Sequence, residues 1–105
     1  MGSADRRRSA RVPIALNCTL ARRTGSVITC ETVDLGPGGM CVTSTRPLAP
    51  DEVLSFELPA PGAPVSGQAR VLRQQSARVY AMRFERLPAD ARGELERLAA
   101  QPTAR

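Results

Sequence analysis

Two short stretches of this chain carry side chains that could grip a ligand. Arg6-Arg7-Arg8-Ser9-Ala10-Arg11 places four guanidinium groups within six residues. A guanidinium is a planar fork that donates paired hydrogen bonds to a phosphate, or to O6 and N7 of guanine, the latter contact being worth about 1–3 kcal/mol. Neighbouring side chains of an extended chain alternate in direction, so Arg7 and Arg11 point the same way from two ends of one stretch. A charge run by itself is most often a solvated tail, so the cluster needs a complement to count as a site. Asp34-Leu35-Gly36-Pro37-Gly38-Gly39 can supply one. The Asp34 carboxylate is a fitting acceptor for the N1–H and N2–H₂ donors of guanine, and the glycines allow backbone amides to approach a ligand. The plainer interpretation is a hairpin turn that visits positive φ and opens with an Asx-type bond. It is not a Walker loop, because no Gly-Lys-Ser/Thr follows.

The elements that must position these stretches are mostly strands. From Val12 the pattern has period two, with Ile14, Leu16, Cys18 and Leu20 on one face, which predicts one half-buried strand. Arg22 to Ser26, with Gly25, reads as a hairpin connection. Val27 to Val33 is rich in β-branched residues and forms a second strand. Met40 to Ser44 is a third, and Val53 to Leu58 a fourth. A fifth runs from about Val65 to Arg73 and a sixth from Val79 to Phe84. Pro- and Gly-containing loops separate them at 46–51 and 59–64. A helix follows: Pro88 suits its first turn, Asp90 its positive end, and Ala91, Leu95 and Leu98 recur at helical spacing to pack on the barrel. Pro102 ends it. Gly93 costs this helix about 1 kcal/mol against Ala, so tertiary contact must hold it. With no crossover helix between strands, antiparallel hairpins are the expected connections. So small a sheet hides its edges best by closing into a barrel.

Composition narrows the function. The 105 residues suit one domain. All 15 basic residues are Arg, and the formal charge is +5. Residues 1–23 hold six Arg and one Asp, while residues 24–105 hold nine Arg and nine acids. The basic charge therefore sits in the N-terminal segment, on a neutral body. A general nucleic-acid binder would want a basic face and aromatic platforms. The chain has only Phe56, Tyr80 and Phe84, so DNA and RNA are not expected partners. There is no His, no catalytic motif, and no base beside any Ser, which argues against an enzyme. Cys18, Cys30 and Cys41 read as buried small hydrophobes rather than a disulfide or zinc set, and no metal or cofactor is expected. No apolar run is long enough to span a bilayer and no signal peptide is visible, so a cytoplasmic location is expected.

A basic stretch entering a first strand, followed by a D-x-G-x-x-G turn between the second and third strands, resembles the PilZ domain family along nearly the whole chain. Arg7-x-x-x-Arg11 matches that family's R-x-x-x-R motif. Asp34-x-Gly36-x-x-Gly39 matches D/N-x-S-x-x-G except at its third residue. Ala69 to Arg73 and Met82-Arg83-Phe84 look like the family's last two strands. The resemblance implies an all-β fold, a six-stranded antiparallel barrel with a short C-terminal α-helix. Residues 1–11 would be a flexible basic segment carrying R-x-x-x-R, and residues 12–101 the barrel domain with its helix.

The resemblance also implies a ligand, cyclic di-GMP. Arg7 and Arg11 take the family's guanine- and phosphate-gripping roles, Asp34 pairs with a guanine edge, and Gly39 shapes the turn. Members with an extra Arg just before the motif hold a stacked dimer of the nucleotide. Arg6 occupies that position, with Arg8 inside the motif to assist it, so two nucleotides are expected. Gly36 replaces a Ser whose hydroxyl would bond the ligand, a loss that weakens binding by about one to two decades. A free Gly36 amide or a water could recover part of it. The expected mode of action is a switch, in which the arginine segment orders over the nucleotide and the changed surface signals to a partner protein. Motility, pilus or exopolysaccharide machinery are that family's usual outputs. The alternative is a degenerate adaptor of this type that has lost the nucleotide and only docks proteins.

Overall fold

The computed structural model describes residues 11–60 and 62–100. Among the described residues seven strands precede one helix: β1 Val12–Pro13, β2 Asn17–Ala21, β3 Val27–Leu35, β4 Gly39–Ser44, β5 Val53–Leu58, β6 Val65–Ser76, β7 Val79–Arg86 and α1 Ala89–Ala100. Every pairing is antiparallel. The sheet runs β1-β3-β2-β5-β6-β7-β4, and an additional β3–β4 pairing closes β2 to β7 into the expected six-stranded barrel. The β4–β5 connection differs from the hairpin expectation. It crosses one end of the barrel so that β5 can pair with β2, plugging that end with buried Leu48. Arg22 holds this crossing through hydrogen bonds to Glu52 and to the Pro47 carbonyl.

The expected single strand from Val12 is in fact two. β1 and β2 lie end to end along one edge of β3, where Val12 opposes Leu35 and Asn17 opposes Glu31. Thr32 causes the interruption. Its hydroxyl accepts the Leu16 N–H at 2.8 Å and donates to the Ile14 carbonyl at 2.6 Å, taking the place of ladder bonds. Ile14 and Leu16 still pack against the core from this kink.

The core follows the period-two pattern. Leu20, Ile28, Val42, Leu54, Phe56, Val71 and Met82 point inward from six different strands. Such side chains contribute about 1.5–3 kcal/mol each on full burial. Phe56 and Phe84 stack at 5.0 Å between ring centroids. On α1, Ala91, Leu95 and Leu98 are buried in the same cluster, as their spacing predicts. Pro88 sits one residue before α1, where its carbonyl accepts the Arg92 N–H. Pro102 lies outside the described residues. Cys18 and Cys30 face each other across the β2–β3 ladder in the core, both unoxidised. Burial pushes the Cys18 thiol up to about 12, so it behaves as the small hydrophobe the sequence suggests. Among the described residues no helix is long and apolar enough to cross a membrane.

Candidate functional site

Arg11, the last residue of the first motif stretch, meets Asp34, the first of the second, on the barrel wall. β1 brings Arg11 alongside the end of β3, with Pro13 opposite Asp34. Arg11 Nη1 then donates to Asp34 Oδ1 at 2.9 Å. Both side chains remain about a third exposed, 35% and 29%, so each can still reach a ligand. Arg6, Arg7 and Arg8 lie outside the described residues.

The turn after Asp34 is built differently from the sequence expectation. Among the described residues the one glycine with positive φ is Gly25, in the β2–β3 hairpin, and not one of the 36–39 turn. Gly39 is required for another reason. It opens β4 opposite Arg83 of β7, and a Cβ there would collide with the Met82 carbonyl oxygen. Close backbone approach, rather than handedness, selects glycine at that position. Gly36 is buried, and its N–H donates to the Gly39 carbonyl at 3.0 Å. Its amide is thus committed to the turn and is not the free donor that could replace a serine hydroxyl.

Asp34 reaches the surface through a β-bulge. Thr32 opposes Val42 and Asp34 opposes Cys41, which leaves Val33 as the extra residue on β3. A bulge of this kind re-aims the next side chain. Strict alternation from Ile28, Cys30 and Thr32 would have turned Asp34 into the core. Its carboxylate instead faces out, beside Cys41. Cys41 is buried yet does not belong to the core cluster, so it lines the outer face with Ala81 of β7. Cys41 is the buried small residue the sequence suggests, but it lies on the face that carries Asp34 rather than in the core cluster. Burial pushes its thiol pKa up and Asp34 adds to this, while Arg11 and Arg73 oppose it. Neither sequence motif contains Arg73, a neighbour of this site. The signal was present, since an Arg at the position where alternation after Ala69 and Val71 predicts a core residue marks a broken register.

A groove of about 620 Å³ lies elsewhere, along the β2–β5 seam. In its lining Arg22 is paired with Glu52 and Arg70 with Glu85.

A family model for the PilZ domain matches residues 5–101. The chain belongs to the PilZ domain family. Solved PilZ structures share the barrel. The PilZ domain of CeSA from a cellulose-synthesizing bacterium superimposes with a TM-score of 0.68 at 21% identity, covering 85% of this chain and 93% of that one. The PilZ domain of YcgR from Escherichia coli, solved with c-di-GMP, gives a TM-score of 0.72 at 14% identity, covering 85% of each chain. No curated protein sequence matches. At these identities the likeness to the two structures establishes the PilZ fold.

Proposed function

We propose that this PilZ domain is a non-catalytic cyclic di-GMP receptor that signals through a partner protein in the cytoplasm. The observation that carries the reading is the Arg11–Asp34 contact at 2.9 Å, which joins the family's two ligand motifs in one place. Membership in the family and the nucleotide held by the Escherichia coli relative support the same ligand. Arg7 and Arg11 grip guanine and phosphate, Asp34 accepts a guanine edge, Gly36 and Gly39 form the turn beneath it, and Arg6 and Arg8 serve a second, stacked nucleotide. Closing the arginine segment over the ligand alters the surface offered to a partner. Ordering costs about 1–2 kcal/mol per residue, which charge-assisted arginine contacts offset.

A second reading is supported by Gly36. With the serine hydroxyl gone and the Gly36 amide bonded to Gly39, the turn offers one contact fewer. On that reading the domain is an adaptor that docks proteins without nucleotide. Isothermal titration with cyclic di-GMP decides between the two. The receptor reading expects saturable heat that falls in Arg7→Ala and Asp34→Ala, and a tighter complex in Gly36→Ser by about ten- to a hundredfold. Absence of heat and of amide shifts at high micromolar nucleotide in the unaltered protein would sink it.

A further inference from the structure

The bulge that delivers Asp34 to the outer face has a counterpart on β6. There Val71 opposes Met82 and Arg73 opposes Ala81, so Leu72 is the extra residue. In both strands an aliphatic residue is left unpaired and exposed, Val33 at 43% and Leu72 at 40%. In both, the charged residue that follows takes the outward place. Without the bulge Arg73 would continue the inward series of Ala69 and Val71, where an unpaired cation is too costly to bury. Such bulges tend to occur where a side chain must be re-aimed.

The two bulges converge on one line. Asp34 opposes Cys41, Cys41 opposes Ala81, and Ala81 opposes Arg73. The row crosses β3, β4, β7 and β6, with an acid at one end and a cation at the other, about 14 Å apart at strand spacing before barrel curvature shortens it. Between them lie the small side chains of Cys41 and Ala81, buried on this outer side of the wall, where the Cys41 thiol donates to Gln75 Oε1 at 3.2 Å so that Gln75 lies over the row. Cys41 and Ala81 both lie outside the core cluster that holds their strand neighbours Met40, Val42, Tyr80 and Met82. Arg70 and Arg83, in the next row, are both committed to Glu85. Arg73 makes no salt bridge among the described residues. Arg73, Arg11 and Asp34 all act on the Cys41 thiol, which places the three around one patch.

We propose that Arg73 is a further ligand-binding residue, which grips a phosphate of the nucleotide whose guanine edge Asp34 accepts. The base takes the place of the Gln75 side chain over the Cys41–Ala81 row, and Arg73 closes the side of the site opposite Asp34. The assignment rests on the receptor reading above and adds a residue that neither sequence motif contains.

Titration of cyclic di-GMP into Arg73→Ala, Arg73→Lys, Asp34→Ala and Arg78→Ala tests it. Arg78 is an exposed arginine at the β6–β7 turn, away from the row. Arg73→Ala should weaken binding about ten- to a hundredfold, as expected for losing a charge-assisted contact. Arg73→Lys should recover most of the loss, because a point charge still serves a phosphate. Arg78→Ala should bind like the unaltered protein, and thermal melts should coincide for all of these exposed-site variants within a few degrees. If Arg73→Ala binds normally while Asp34→Ala does not, the Arg73 assignment is wrong and the receptor reading stands. If Arg73→Lys is as weak as Arg73→Ala, the phosphate contact is wrong. If the unaltered protein does not bind, the receptor reading fails and takes this inference with it.

Discussion

Arg11 and Asp34 are 23 positions apart in sequence and in direct contact, with Nη1 donating to Oδ1 at 2.9 Å. The pair is made possible by β1, two residues long, which clamps the chain just after Arg11 to the end of β3. Because both side chains are partly exposed, solvent screens the pair, and its worth to folding is small. A double-mutant cycle of Arg11→Ala and Asp34→Ala in chemical denaturation should give a coupling of about 0.2–1 kcal/mol. The same two variants should each weaken cyclic di-GMP at least about tenfold, since each removes a charged partner. A large stability loss with unchanged nucleotide affinity would recast the pair as structural.

Thr32 controls whether that clamp holds. Its hydroxyl bridges the Ile14 carbonyl and the Leu16 N–H, in the link between β1 and β2. Thr32→Val keeps the shape and leaves the Leu16 N–H without its partner, which should cost about 1–3 kcal/mol. Hydrogen exchange at the Leu16 amide should accelerate, and nucleotide affinity should fall with it because Arg11 is released. Unchanged protection at Leu16 would show that the hydroxyl does not hold the segment.

Much of the fold was legible from alternation alone, and the failures share a cause. Six strands and the helix follow their apolar periods, and Ala91, Leu95 and Leu98 face the core as spaced. The one long strand from Val12 was misread because no period reveals that a threonine hydroxyl on another strand will replace ladder bonds. The positive-φ expectation for the 36–39 turn failed similarly. Glycine is needed at Gly39 because β7 passes close by, and that neighbour lies more than forty residues on in sequence. The motifs name Arg11, Asp34, Gly36 and Gly39, and the first two are in contact while the glycines bond across the turn. Arg73 was not legible, because its outward place depends on a register shift against β7. Period two sorts residues into faces only between bulges.

The glycines of the turn should separate sharply on mutation. A Cβ at Gly39 meets the Met82 carbonyl, while one at Gly38 meets nothing within 4 Å. Gly39→Ala should therefore force β4 from β7 and cost about 1–3 kcal/mol, with a melting temperature lower by several degrees. Gly38→Ala should stay within about 0.5 kcal/mol of the unaltered protein. Equal stabilities for the two variants would contradict the close approach at Gly39.

The acid limb of stability should report on Glu85. Hydrogen bonds from Arg70 and then Arg83 lower its pKa from 4.5 to about 2. Glu52 is also lowered, chiefly by its bond from Arg22. A carboxylate whose folded pKa is depressed binds its proton more readily in the unfolded chain. Its contribution is thus complete above the unfolded value near 4.5 and is lost as the pH falls through the folded value near 2. Denaturation of the unaltered protein at a series of pH values should show stability level above about pH 5 and declining below it. Glu85→Gln, which cannot titrate, should show a shallower decline over the same range. Because Glu85 is solvated, the difference should be modest and should shrink in high salt. Identical slopes for the two proteins would mean that the Arg70–Glu85–Arg83 cluster does not contribute to folding in solution.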